Sequence, residues 1–270
     1  MTTSLLLKKI YILIAFVIII SGVILININD KFPNEIKENE KELFENQLDS
    51  KTKAWVMFGN GLPFEFTEDK LSQMKNIKDI IVIDPIFTQI AYREGGFYDY
   101  FRGECDEKCL TLDIGKQWEN PRDTSSAMAL RIFNELGWEI VNDLEVHKNP
   151  NILLNYKKII LLHNEYVTRE IFDAVISHPN VIYLYPNALY AEIEFNEDTN
   201  SITLIHGHNY PENNILNGFN WEDDNTHPYE FDKQCNSWKF YENNNGFMLN
   251  CYPEKLIITE PKLLEKILDL

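Results

Sequence analysis

Two stretches of the chain carry side chains that could do chemistry. In the first, His163 and Glu165 stand two apart just beyond the apolar run that ends at Leu162. In an extended segment that spacing turns an imidazole and a carboxylate to the same side. The plain alternative is a pair of ordinary polar loop residues. The second stretch is His206-Gly207-His208, with Asp223, Asp224 and His227 downstream. At the end of a strand its two imidazoles would face one side, and two histidines with a carboxylate are a common metal set. An isolated His-x-His is more often a pair of hydrogen-bonded loop histidines. Strand register would also let His206 lie across a hairpin from Tyr190 and serve the first stretch.

The elements that must position the first stretch can be read around it. Lys157 to Leu162 reads as a buried strand, and Thr168 is placed to cap a helix from Arg169 to Ser177. A second apolar run, Val181 to Tyr185, follows. Strand, loop, helix, strand is a βαβ unit, and parallel sheets carry their sites on such strand-to-helix loops. Asp79 to Asp84 is another β-branched strand, stopped by Pro85. Beyond it Gly95-Gly96 permits a tight turn in a loop that holds Tyr92, Tyr98 and Tyr100. Cys109 to Ile114, the helical spacing of Ser125 to Leu136 with its stop at Gly137, and Trp138 to Val141 predict a second βαβ unit. Ala191 to Phe195 and Ser201 to His206 flank a polar loop and predict a β-hairpin. Residues 209–250 read as Asn- and aromatic-rich loops, and Pro261 to Leu270 as an amphipathic helix docked on the sheet. The expected fold is α/β, an open and mostly parallel sheet flanked by helices.

Composition narrows the function. A net charge of −17 without any Lys/Arg cluster excludes nucleic acid as a partner. Cys105 with Cys109 and Cys235 with Cys251 form two local pairs suited to disulfides in an oxidising compartment. Four cysteines still allow three connectivities, and a four-sulfur zinc site is the rival. At the N-terminus, residues 10–28 are almost wholly apolar and long enough to span a bilayer. Lys8 and Lys9 precede them, which favours a cytoplasmic residue 1–9 segment. No small-x-small cleavage site follows, so an uncleaved signal anchor is expected. Residues 29–53 then form a charged stalk, and residues 54–270 an extracytoplasmic domain at the cell membrane. Ala54 to Phe58 is the first strand expected in it.

Three segments together resemble a known family. They are Thr88-Gln89-Ile90-Ala91-Tyr92 with Gly95-Gly96 and Tyr98, then His163-Asn164-Glu165-Tyr166-Val167-Thr168, then Pro186-Asn187-Ala188-Leu189-Tyr190. Their order is similar to that in the catalytic domain of the N,N-dimethylformamidase large subunit, whose fold is like that of class I glutamine amidotransferases. The likeness runs from about Asp79 to Phe195. It departs at Val167, where the family has Trp, at Arg93, where it has Asn, and at Tyr185-Pro186, where it has Gly-Gly. The chain is also far shorter than a full catalytic subunit.

The resemblance implies a mononuclear iron, or another transition metal, held by Tyr92, His163 and Glu165 as the catalytic set. It implies a small linear amide as substrate, with Asn187 and Tyr190 lining its pocket. A phenolate and a carboxylate are hard donors suited to ferric iron, and imidazole tolerates most transition metals. The rival expectation is a surface binding module that keeps the fold without turnover.

Overall fold

The computed structural model describes residues 66, 68–115, 124–212, 217–221 and 235–270. The expected membrane anchor, the stalk, the strand over 54–58, and Asp223, Asp224 and His227 lie outside these residues. Among the described residues no helix is long and apolar enough to cross a membrane.

Helix α1 (Glu68–Met74) leads into strand β1 (Ile80–Asp84), followed by α2 (Ile86–Ala91) and α3 (Phe97–Phe101). A short 3-10 turn precedes β2 (Thr111–Asp113); α4 (Ala127–Glu135), β3 (Glu139–Asn142) and α5 (Asp143–Lys148) come next. After a second 3-10 turn the chain forms β4 (Lys158–Leu161), β5 (Tyr166–Thr168), α6 (Arg169–Ile176) and β6 (Val181–Tyr183). The hairpin β7 (Ala191–Asn196) and β8 (Ser201–His206) follows, then β9 (Phe240–Asn243), β10 (Gly246–Leu249), α7 (Leu256–Thr259) and α8 (Pro261–Asp269).

Six strands form one sheet in the order β3-β1-β4-β6-β10-β9, parallel except for the edge strand β9. Alternation along its strands sorts the core into two layers. Ile81, Ile83, Ile159, Leu161, Val181 and Tyr183 face α2, α5, α6 and a second sheet. Val82, Ile160, Ile182 and Leu184 face α4, α7 and α8. The second sheet has the order β2-β8-β7-β5, antiparallel except where β5 runs beside β7.

Several expectations are corrected by this arrangement. The strand after Cys109 does not begin a βαβ unit with β3; β2 pairs with β8 in the other sheet, and β3 lies parallel beside β1. The loop beyond β4 re-enters a strand, β5, before α6 begins. Thr168 precedes α6 without a side-chain cap, because its Oγ1 is engaged by His147 Nδ1 at 2.9 Å. The Asn-rich 209–250 region supplies β9 and β10, which extend the main sheet beyond β6. All four cysteines form disulfides, Cys105–Cys109 and Cys235–Cys251, so no four-sulfur zinc site exists.

One consequence for stability sits at the end of β1. Burial pushes the Asp84 carboxyl up to about 6, although Gln89 Nε2 donates to it at 2.7 Å and pulls the other way. The neighbouring Asp143 is also raised, by complete burial first, against the hydrogen bond that Phe87 N donates to it at 3.1 Å. An acid raised in the fold stabilises it below the unfolded value near 4, and that stability is lost as pH rises through about 6. Asp84→Asn is therefore expected to raise unfolding free energy at pH 7 by on the order of 2 kcal/mol, allowing for partial solvent screening. Urea melts between pH 4 and 8 check this: the variant should flatten the fall. A variant less stable than the native chain at pH 7 contradicts it.

Candidate functional site

The C-terminal edge of the parallel sheet is where the predicted residues gather. Tyr92 ends α2, the helix after β1; His163 and Glu165 follow β4; Asn187 follows β6. Those are three neighbouring strands, and their carboxyl ends form the crevice in which open α/β sheets place ligands.

Glu165 is the hub. It is 1% exposed, and the side chains of Tyr92, His163, Asn187 and His208 all reach its carboxylate. The Tyr92 hydroxyl donates to Oε2 at 2.7 Å and Asn187 Nδ2 donates to the same oxygen at 2.8 Å. His163 Nε2 lies 3.1 Å from Oε2, while His208 Nε2 lies 2.6 Å from Oε1. Burial by itself raises the Glu165 carboxyl, but hydrogen bonding and charge from His163 and His208 outweigh it and hold the group at about 2. The Tyr92 phenol is driven the other way, by burial first and then by the Glu165 charge beside it. It stays protonated and donates. The Tyr92 residue is 42% exposed, so its ring stands at the mouth while its hydroxyl reaches inward.

The loop that presents Glu165 is held from both sides. Thr88 Oγ1 accepts from the backbone N–H groups of Glu165 at 3.0 Å and Tyr166 at 3.1 Å. Asn164 Oδ1 accepts from Leu162 N at 2.9 Å, closing a local turn. Glu165 O accepts from the N–H groups of Tyr190 and Ala191 at the start of β7. On the Tyr92 side, a Cβ at Gly96 would run into the carbonyls of Ala91 and Arg93, so only glycine lets the loop close behind Tyr92. Tyr92 then stacks on Tyr98 with centroids 4.9 Å apart.

His163 is set by Ser125 and Asn187. Ser125 Oγ is 2.7 Å from Nδ1, Asn187 Nδ2 is 3.0 Å from Nε2, and the Tyr185 ring stacks on the imidazole at 4.8 Å. With its proton on Nδ1, given to Ser125, the ring accepts from Asn187 through its one free lone pair, at Nε2. With the proton on Nε2, it donates to Glu165 and Ser125 donates to Nδ1. The first form is the one a metal at Nε2 would require, with the distal N–H tied to a polar partner.

The donor spacing around Glu165 is compatible with a resident cation. Two donors about 2.1 Å from one ion and at right angles to each other are roughly 3 Å apart. The separations from Glu165 Oε2 are 2.7 Å to the Tyr92 hydroxyl and 3.1 Å to His163 Nε2. Asn187 Oδ1 is buried without a hydrogen-bond partner, an acceptor with nothing to accept. Among the described residues no group of three His, Cys, Asp or Glu side chains could hold a metal, so the set reaches three protein donors only through the phenol.

The two histidines of the second stretch part. His206 turns to Glu192, with Nδ1 3.0 Å from Oε2, and it is His208 that enters the site. The Tyr190 ring lies 4.5 Å from that of His208. Sequence reasoning missed His208 as a partner of Glu165, Thr88 as the clasp, and Ser125. The only signal for His208 was its place in the His-x-His triplet. A separate cavity of about 530 Å³ opens at the opposite edge of the sheet, beside Asp79, Lys158 and Asn180. Its three lysines are committed: Lys158 Nζ donates to the carbonyls of Ile267 and Leu268 at the end of α8, Lys157 pairs with Asp79 and Lys70 with Glu265.

The fold and site thus define a mixed α/β domain with a Tyr/His/Glu/Asn cluster, centred on a buried glutamate, at the carboxyl edge of its parallel strands. No protein-family model and no curated protein sequence matches the chain.

Proposed function

We propose that this domain hydrolyses small linear amides with the help of a transition-metal ion, iron being the ion its donor set suits best. Tyr92, His163 and Glu165 would hold it. The observation that carries the proposal is the meeting of the Tyr92 hydroxyl, His163 Nε2 and Asn187 Nδ2 on one buried oxygen of Glu165. The resemblance to the dimethylformamidase catalytic domain, and with it the class I glutamine amidotransferase-like fold, belongs to the same proposal. So does an extracytoplasmic location behind an anchor at residues 10–28, with which the two disulfides agree.

A bound metal polarises an amide carbonyl and lowers the pKa of water. The chain's own residues do the rest. Glu165 supplies a fixed negative charge, kept ionised by the imidazoles around it. Asn187 offers an amide whose oxygen has no protein partner and can accept a substrate N–H. Tyr92 and Tyr98 wall the mouth with stacked rings and limit water.

The test is metal analysis and the visible spectrum of the full-length chain beside a His163→Ala variant. A near-stoichiometric metal with a tyrosinate charge-transfer band, both lost in the variant, is the expected outcome. A native chain that takes up no metal when supplied with it sinks the proposal. The second reading, a binding module without turnover, is favoured by one observation: both oxygens of Glu165 already have protein partners.

A further inference from the structure

Resting on the cluster above, we infer that His208 is the positioning residue of the site. Its Nε2–H holds Oε1 of Glu165, so that Oε2 alone is turned toward Tyr92, His163 and Asn187.

The geometry is specific to this histidine. A carboxylate that is buried and free to rotate about its last bond presents either oxygen, or neither, to a shared centre. Here Oε1 is 2.6 Å from His208 Nε2, and the carboxylate can only accept, so the imidazole nitrogen donates. The His208 ring is itself fixed in a socket of rings. Tyr166 stacks on it at 5.3 Å and 21°, Tyr190 lies 4.5 Å away, and Phe101 closes the edge at 5.0 Å. Its side chain is 11% exposed.

The backbone is bent to deliver the ring there. Gly207 has φ +125°, and His208 and Asn209 have φ +50° and +60°. Two successive non-glycine residues in the left-handed region are costly, and such strain concentrates where a side chain must be aimed. The turn is closed by paired N–H···O bonds between Gly207 and Tyr210, both 3.0 Å. A Cβ at Gly207 would meet Ala191 Cβ at 2.8 Å, so the turn also packs directly on the start of β7. His206, two residues earlier, is spent on Glu192 and takes no part.

A residue that holds a ligating carboxylate tunes affinity without touching the ion. In the full-length chain, His208→Ala is expected to weaken binding of added Fe²⁺ by about 10- to 100-fold, whereas His208→Gln, which keeps an N–H donor, recovers most of it. His206→Ala should bind as the native chain does. A donor-specific rescue separates this role from mere packing.

The inference also has a readout that needs no metal. In chain labelled with ¹⁵N-histidine, the His208 Nε2–H should appear as a downfield, slowly exchanging imidazole proton. It should vanish in both His208→Ala and Glu165→Ala. His178, whose ring nitrogens lie 3.1 Å from Asn180 O and 3.0 Å from Tyr156 O, reports whether each variant is folded. Absence of the proton in the native chain overturns the inference, as does native affinity in His208→Ala. Should no chain bind iron while the proton behaves as described, the metal-hydrolase proposal falls and the positioning role stands.

Discussion

A chain carrying Glu165→Gln is expected to fold and yet to lose transition-metal affinity by at least about 100-fold. The substitution is isosteric, and the new amide has one orientation that the surroundings accept. Its oxygen would take the place of Oε2, still accepting from Tyr92 and Asn187, and its NH₂ would face His208. His208 would then have to move its proton to the other ring nitrogen and become the acceptor. That rearrangement costs on the order of 1–2 kcal/mol in stability. What disappears is the one carboxylate among the proposed ligands, the group already ionised before any metal binds, and with it much of the attraction for a cation. Glu165→Ala is different in kind, because it removes the acceptor for Tyr92, Asn187 and His208 at once. Leaving those donors buried and unpaired costs on the order of 3–5 kcal/mol. Metal titration and urea melts of the two variants separate the effects. An Glu165→Gln chain that binds metal as the native chain does would remove Glu165 from the ligand set.

The second large effect is expected far from the site, at Gly246→Ala. Gly246 opens β10 and stands opposite Val181 of β6, and a Cβ there would overlap the Val181 carbonyl group. Neither strand can retreat. Val181 N donates to Asn245 O at 3.1 Å, holding the two backbones together at that point. The Asn245 side chain bonds the carbonyls of Val175 and His178 at 2.7 and 2.9 Å and accepts from the Tyr183 hydroxyl at 2.8 Å. Relief would mean unpairing β10 from β6, which also frees β9 at the sheet edge. Overpacking against main chain at so constrained a position should lower unfolding free energy by on the order of 3 kcal/mol. A melting temperature within a degree or two of the native chain would show that the β6–β10 contact is looser than described.

Both positions bear on how far the sequence could be read. Glu165 is legible in the sequence because an imidazole and a carboxylate two apart after a buried strand is a local pattern, and its partners Tyr92 and Asn187 belong to the ordered motifs. Gly246 could not have been found. The strand it begins is short and set among asparagines, and it becomes a strand because β6 offers an unpaired edge. Pairing partners distant in sequence leave no local trace, and for the same reason the local pattern around β2 points to the wrong sheet.

The histidine triplet shows the boundary most clearly. A period of two places His206 and His208 on one side only while the chain stays extended. Gly207 and His208 leave the extended region, and a register shift interrupts β7 at Glu192/Ile193, so the two imidazoles go to different carboxylates. By itself the sequence determined what short-range forces decide: the β-branched runs of the parallel strands, the β7–β8 hairpin, the local cysteine pairs and the polar loop beyond β4. The tertiary structure alone decided which sheet each strand joined, that β9 and β10 exist, and that His208 rather than His206 grips Glu165. Those outcomes depend on backbone edges and buried donors brought together from remote parts of the chain, whose energies belong to the packed molecule and to no single segment.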